Sequence, residues 1–81
     1  PVFLFCYVNL VSVRQFGKTM EHLEIIVTDG IRQVKAIQWY ADKNSFSTTL
    51  ETGNSIDLYG EFDYSVFRGK SELRLKIVEI M

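Results

Sequence analysis

Basic and aromatic side chains gather near the end of this 81-residue chain. The segment 64–76 contains two aromatic residues, Tyr64 and Phe67, and four basic ones, Arg68, Lys70, Arg74 and Lys76. Basic groups pair with phosphates, and aromatic rings stack on nucleobases with about 1–3 kcal/mol per base. A solvated charged face with loop-packing aromatics is the simpler alternative. The pattern therefore indicates nucleic-acid binding only in combination with a suitable fold.

Further candidates of the same type lie earlier in the chain. Arg14 and Lys18 border a short loop, and Lys35 stands four residues before the pair Trp39–Tyr40. Consecutive residues of a strand point to opposite faces. We therefore expect one of the two aromatic side chains in the core and the other exposed, and the pattern does not decide which.

No reactive constellation accompanies these residues. His22 is the single histidine, next to a predicted loop, and is interpreted as a surface or loop-ordering residue. The sequence has neither a phosphate-binding glycine loop nor a nucleophile elbow. The acids Asp57, Glu61 and Asp63 alternate with apolar residues, as on a solvated strand face. We expect a non-catalytic chain with no cofactor, no metal site and no small-molecule substrate.

The composition is that of a globular domain, with 47% apolar and 23% charged residues and a net charge of −1. The longest apolar run, 2–8, is far shorter than the roughly 20 residues of a membrane-spanning helix, so no membrane partner is expected. Cys6, in that run, is expected to be a small buried thiol in a reducing, cytoplasmic setting. Because the chain begins at Pro1, we interpret residues 1–81 as one domain excised from a longer protein.

Three segments alternate apolar and polar residues, which is typical of half-buried strands. Their apolar faces are Leu23, Ile25 and Val27; Ile56, Leu58 and Phe62; and Leu73, Leu75 and Ile77. A long, bent first strand is predicted over 3–14 and a third strand over 32–40. Asp29-Gly30 predicts a hairpin with a two-residue type I′ turn, and Arg68-Gly69 a second turn. Between Tyr40 and Gly53 we expect one short helix, closed by Gly53.

This order predicts an all-β fold, a five-stranded Greek-key barrel (OB-fold) with a short helix between strands 3 and 4. An SH3-like barrel is the competitor, but it has no natural place for that helix. OB-folds bind single strands across strands 2 and 3, between the loop joining strands 1 and 2 and the loop joining strands 4 and 5. The expected nucleic-acid-binding residues are Arg14, Lys18, Lys35, Trp39, Tyr64, Phe67, Arg68, Lys70 and Arg74.

Ordered sequence motifs over nearly the whole chain resemble the OB domain of RecJ, a single-strand-specific exonuclease family of the DHH phosphoesterase superfamily. The matching pieces are Pro1-Val2-Phe3, Val13-Arg14-Gln15-Phe16-Gly17-Lys18 followed by His22-Leu23, Ala36-Ile37-Gln38-Trp39, Gly53, Ile56-Asp57, Gly60-Glu61, Phe67-Arg68-Gly69 and Leu73-Arg74-Leu75-Lys76-Ile77. The family tends to have Asn near the last turn, where this chain has Tyr64-Ser65-Val66.

The resemblance implies a role. In that family, catalytic domains outside this segment cleave DNA in the 5′→3′ direction with Mn²⁺ or Mg²⁺, in DNA repair and recombination. The OB domain helps to hold the single-stranded DNA. The expected partners are therefore single-stranded DNA and the catalytic domains of the same chain. The alternative is a docking scaffold that packs on those domains or on a partner protein without contacting DNA.

Overall fold

The structure is a computed structural model that describes residues 1–67 and 69–81; the side chains of Ser65 and Phe67 lie outside the description. Its strands are β1 (Phe3–Phe16), β2 (His22–Thr28), β3 (Gln33–Gln38), β4 (Ser55–Phe67) and β5 (Lys70–Ile80). They form a closed barrel in the order β1-β2-β3-β5-β4. The five-stranded all-β barrel expected from the sequence is confirmed. No helix among the described residues is long and apolar enough to cross a membrane.

The first strand is bent, as its length predicted. Its first half pairs with β4 and its second half with β2. The register shifts between Phe5 and Val8 and again between Leu10 and Ser12. At the first shift Tyr7 has a φ of 53°, and its backbone N–H donates to Asp57 Oδ1 at 2.8 Å. These irregularities bend β1, so that a single strand pairs with β4 along its first half and with β2 along its second half.

The alternation in β2 places the core where the sequence predicted it. Leu23, Ile25 and Val27 are at most 1% exposed and pack with residues of every other strand. Because the inward side chains of a strand alternate with outward ones, the outer side of β2 carries His22, Glu24 and Ile26. The closing contact between β3 and β5 is parallel, at Ala36↔Leu75 and Ile37↔Lys76. An outer face formed by β1, β2, β3 and β5 is thereby continuous.

The β4–β5 hairpin is longer than the barrel that it helps to close. β4 pairs with β5 as far as Phe67↔Lys70, whereas β1 follows β4 only to Gly60. The segments 61–67 and 70–74 therefore project as a hairpin arm. Phe62 and Leu73, expected in the core, are 42% and 50% exposed, because neither β1 nor β3 pairs with this arm. The Phe62 ring is covered in part by Phe3 and Phe5 of β1.

The helix expected between the third and fourth strands is reduced to one 3₁₀ turn, Lys43–Ser45. The Asp42 side chain caps it by accepting from the Asn44 N–H at 2.7 Å. A longer helix does not form because the residues that follow, Ser47, Thr48 and Thr49, are poor helix formers. The loop is instead anchored on the core by Leu50, which is 6% exposed.

Two further expectations are corrected. The hairpin at Asp29-Gly30 exists, but Thr28 pairs with Gln33, so its loop has four residues rather than a two-residue type I′ turn. In place of that turn, the Asp29 carboxylate accepts hydrogen bonds from the N–H groups of Ile31 and Arg32, which is an Asx-type arrangement. Cys6, expected to be buried, is exposed, since it lies where β1 departs from regular pairing.

Candidate nucleic-acid interface

Four aromatic rings meet on the outer face beside the loop between β1 and β2. We call Phe16, His22, Trp39 and Tyr40 the aromatic cluster. The His22 ring lies at its centre, 4.8 Å from both Trp39 and Tyr40 and 5.3 Å from Phe16, between ring centroids. Phe16 and Trp39 are also in edge contact, at 5.7 Å. Trp39 is 47% exposed and Tyr40 83%, so the cluster still presents ring surface to a ligand.

The strand register and one strained residue hold this cluster together. Phe16 and His22 are paired across β1 and β2, which places both rings on the same side of the sheet. Tyr40 has a left-handed φ of 55°, an uncommon conformation for a residue other than glycine. Its backbone N–H donates to His22 Nδ1 at 3.1 Å, while His22 Nε2 lies 3.2 Å from Glu21 Oε1. Because Nδ1 accepts a hydrogen bond, Nε2 is the ring nitrogen assigned as donor toward Glu21.

Two arginines lie over the cluster. The Arg14 guanidinium carbon is 5.3 Å from the centroid of Phe16, and that of Arg74 is 5.8 Å from Trp39. Both distances fall within the range of cation–π contacts. Arg74 and Trp39 also line a small depression with Ile37 and Asp63. Flat rings and delocalised cations therefore alternate on this face, as stacking on bases and pairing with phosphates require.

Two of the cations carry a carboxylate partner. Arg14 Nη2 lies 3.0 Å from Glu24 Oε2, and Lys35 Nζ lies 3.0 Å from Glu72 Oε1. The pKa of Glu72 is lowered because Lys35 donates a hydrogen bond to its carboxylate and adds its positive charge. Two of the cations on this face are therefore neutralised locally by carboxylates of neighbouring strands.

Gln15 ties together the two loops beside the cluster. Its Nε2 lies within 3.2 Å of the carbonyls of Met20, His22 and Ala41. Its Oε1 accepts from the Lys43 N–H at 2.6 Å. One amide thus fixes the β1–β2 loop to the segment after β3 and sets the position from which Tyr40 and Trp39 project.

Fold and geometry agree with the comparison with known families. The model of the RecJ OB domain matches residues 1–79. This chain belongs to the RecJ OB domain family. It is accordingly a nucleic-acid-binding type of module from multi-domain RecJ-like proteins, and an OB domain is not itself a catalytic one. A comparison with curated proteins gives no match.

The residues expected to bind do not all meet in this RecJ OB domain. Arg14, Lys35, Trp39 and Arg74 share the outer face, and Lys70 lies on the same side of β5 as Arg74 by alternation. Lys18 is exposed in the β1–β2 loop.

Tyr64 lies elsewhere on the RecJ OB domain. It pairs with Leu73 and is 71% exposed, on the side of the hairpin arm that faces away from Arg74. Arg68 and the Phe67 side chain lie outside the described residues.

The expectation that Trp39 and Tyr40 take opposite sides, one of them buried, is wrong. β3 ends at Gln38, so strand alternation does not extend to either residue, and both are exposed. Sequence reasoning also missed Phe16 and His22 as members of a common cluster. The signal was present in their positions, since one ends β1 and the other begins β2 around a short loop, which makes them cross-strand neighbours.

The acids interpreted as a solvated strand face, Asp57, Glu61 and Asp63, lie on the outer side of β4. Asp57 accepts from the Tyr7 N–H, and Asp63 borders the depression beside Arg74. Within residues 1–67 and 69–81, no group of three or more His, Cys, Asp or Glu residues is arranged to hold a metal ion.

Proposed function

We propose that this RecJ OB domain holds single-stranded DNA on its outer face, with little sequence preference. In this proposal it is the non-catalytic strand-holding part of a cytoplasmic, RecJ-type 5′→3′ single-strand-specific exonuclease of DNA repair and recombination. The observation that carries the proposal is the aromatic cluster with Arg14 and Arg74 over it, on the face that OB-folds use for oligonucleotides.

The side chains on the face favour backbone binding and stacking over base readout. Every base has a π-face, so rings such as Trp39 and Tyr40 accept any sequence. Arginine and lysine pair with phosphates that are identical along the strand. The rows of the face next to the cluster carry Ile37, which is 4% exposed, and Ile26, and an apolar side chain cannot hydrogen-bond to base edges.

The same features imply weak binding by the isolated domain. Its net charge is −1, and two of the cations on the face already have carboxylate partners. We propose that the catalytic domains of the same chain, which would hold Mn²⁺ or Mg²⁺, supply the rest of the strand contacts.

A titration with fluorescently labelled single-stranded DNA tests the proposal. Anisotropy and Trp39 emission are followed at low and moderate salt. We expect saturable binding that weakens with salt, because cations released from the DNA backbone are part of the driving force. We also expect the emission of Trp39, the single tryptophan, to change on binding. Absence of binding at low salt would contradict the proposal.

A second candidate function, a docking scaffold, is favoured by a separate observation. The start of β1 and the hairpin arm expose apolar side chains, at 38–81% of their surface: Val2, Phe3, Leu4, Tyr7, Val11, Phe62, Tyr64, Val66 and Leu73. Phe3 packs against Phe62 at 5.4 Å, which makes the two regions continuous. An exposed apolar surface of this kind is typical of a protein contact.

The occupant proposed for this surface is the catalytic part of a RecJ-type exonuclease. Adding that part as a separate polypeptide to the isolated domain should give a complex that Tyr64→Ser with Val66→Ser weakens, while DNA binding by the isolated domain is unchanged. If the double variant lost DNA binding and kept the complex, the arm would belong to the DNA interface instead.

A further inference from the structure

Two carboxylates, those of Glu24 and Glu72, pair with cations that would bind phosphates in the proposed function. Glu24 lies in β2 directly between Arg14 on β1 and Ile37 on β3, in the middle of the outer face. Its carboxylate receives two hydrogen bonds from the Arg14 guanidinium, at 3.0 and 3.4 Å. On the other side of β3, Glu72 receives the Lys35 ammonium at 3.0 Å.

The two pairs have the geometry of phosphate binding with a carboxylate in place of the phosphate. A guanidinium that donates through Nε and Nη2 to two oxygens makes the forked contact that arginine also makes with phosphate. The basic partners remain accessible, since the Arg14 side chain is 58% exposed and that of Lys35 39%. A strand arriving from solvent can therefore reach both cations without any change in the fold.

We propose that Glu24 and Glu72 are competing carboxylates, which hold Arg14 and Lys35 in the free domain and give them up to DNA phosphates. They thereby limit the affinity for the strand and ease its release. The inference rests on the proposed function, because it describes the regulation of that same face. For a domain that must let a strand pass as nucleotides are removed, a reduced affinity at each contact is an advantage.

The Lys35–Glu72 pair is exposed on both sides, at 39% and 53%, whereas the Arg14–Glu24 pair is exposed on the arginine side, with the Glu24 side chain at 13%. Ion pairs that water reaches in this way are weak enough to be exchanged. Removing either competing carboxylate should tighten binding by about two- to five-fold, from the typical strength of an exposed pair. The sites are independent ion pairs on different strands, so the effects should multiply to about four- to twenty-five-fold in the double variant.

The salt dependence gives a second and more specific signature. A cation that is already paired with a carboxylate causes no net release of counterions when it binds a DNA phosphate. When the carboxylate is removed, that cation takes part in counterion release. The slope of log K against log salt should steepen by about 0.7 for each freed cation, the value for single strands.

The experiment compares the wild type with Glu24→Gln, Glu72→Gln and the double variant, by anisotropy with a labelled oligothymidylate over a range of salt concentrations. Glu51→Gln is the matched control, since it removes one negative charge from an exposed position in the loop before β4. Circular dichroism establishes that all variants are folded. The expected result is tighter binding and a steeper slope for the two carboxylates, with Glu51→Gln close to the wild type.

The outcomes separate this inference from the proposed function. If the wild type binds DNA and the variants bind it no more tightly than Glu51→Gln does, the proposed role of Glu24 and Glu72 is overturned. The proposed DNA-binding function of the face then still stands. If neither the wild type nor any variant binds at low salt, both are overturned.

Discussion

Trp39 offers the most direct test of the face at the level of one residue. Trp39→Ala removes a half-exposed ring that contacts both His22 and Arg74. If a base stacks there, the loss of about 1–3 kcal/mol corresponds to a fall of about five-fold to about 150-fold in affinity. Anisotropy with labelled single-stranded DNA measures it.

The matched control for this change is Tyr7→Ala. Tyr7 is an exposed aromatic side chain, at 81%, but it belongs to the part of β1 that borders β4. It should leave DNA binding unchanged. Equal losses in the two variants would mean that Trp39 acts through general apolar surface and not through a specific stacking position.

Gln15 is expected to matter for stability more than its polar side chain suggests. Gln15→Met keeps the length of the side chain but leaves the carbonyls of His22 and Ala41 and the N–H of Lys43 without their partner. Part-buried groups that lose a hydrogen bond cost about 1–3 kcal/mol of unfolding free energy in such variants. Urea denaturation measures the change, and Gln33→Met, at an exposed position of β3, should be close to neutral.

Glu21 makes the β1–β2 loop sensitive to acid. Its pKa is lowered from the ordinary 4.5 chiefly because the Thr19 hydroxyl donates to the carboxylate, with backbone N–H bonds adding to the effect. A group with a lowered folded-state pKa stabilises the fold above its unfolded-state pKa, and that contribution is lost as the pH falls through the lowered value. We expect order in the loop to decrease below about pH 4.5, the ordinary carboxyl pKa for this group.

Carboxyl chemical shifts measured against pH test this expectation. Thr19→Val removes the hydroxyl while keeping the shape of the side chain, and should move the pKa of Glu21 upward, toward its ordinary value. A titration curve identical in both proteins would show that the Thr19 hydroxyl does not hold the carboxylate.

Among the elements, the β4–β5 hairpin depends on a close approach at Gly60. A Cβ at this position would lie 2.6 Å from Leu75 Cγ and 2.8 Å from the Lys76 carbonyl oxygen. The carbonyl belongs to the paired strand and cannot move without breaking the sheet. Gly60→Ala should therefore destabilise the fold by about 1–3 kcal/mol, the usual cost of overpacking.

Gly30→Ala separates this effect from backbone strain. Gly30 has a φ of +99°, and no neighbouring atom lies within 4 Å of the point that an alanine Cβ would occupy. The cost of this substitution is therefore conformational and about 1–2 kcal/mol. Thermal unfolding of both variants compares the two causes. Gly60 has no left-handed backbone, so a neutral Gly60→Ala would mean that Leu75 and its strand repack easily.

The elements also show how far sequence patterns reach. Alternation identified β2 and its buried face correctly, because Leu23, Ile25 and Val27 have neighbouring strands along their whole length. The same alternation failed for Phe62 and Leu73. Their inward direction is right, but whether anything covers them depends on where β1 and β3 stop pairing, and that is decided far away in the sequence.

For the candidate site, the sequence supplied the residue types but only part of their arrangement. Arg14, Lys35, Trp39 and Arg74 were expected and do share one face. Trp39 and Tyr40 could not be oriented, because the strand ends before them and Tyr40 takes a left-handed conformation. The carboxylate partners Glu24 and Glu72 come from other strands, and short-range patterns carry no information about such pairs.

At the scale of the whole molecule, the net charge of −1 conceals a local arrangement. The outer face has arginines at the aromatic cluster and carboxylates beside two of its cations, whereas the start of β1 and the hairpin arm form an apolar surface. The two proposed roles, strand holding and docking, therefore concern different sides of the barrel. A single domain can serve both at once, with its catalytic partner on one side and DNA on the other.

The short parallel contact between β3 and β5 has a consequence for how the barrel opens and closes. In the described part of the chain, these strands pair only at Ala36↔Leu75 and Ile37↔Lys76, residues far apart in the sequence. Such non-local contacts form late in folding, after the local hairpins. The same contact should open first in native-state hydrogen exchange. Since Trp39 and Arg74 lie on either side of it, a strand bound between them would span the closing point, and the amides there should be the ones whose exchange slows most on binding.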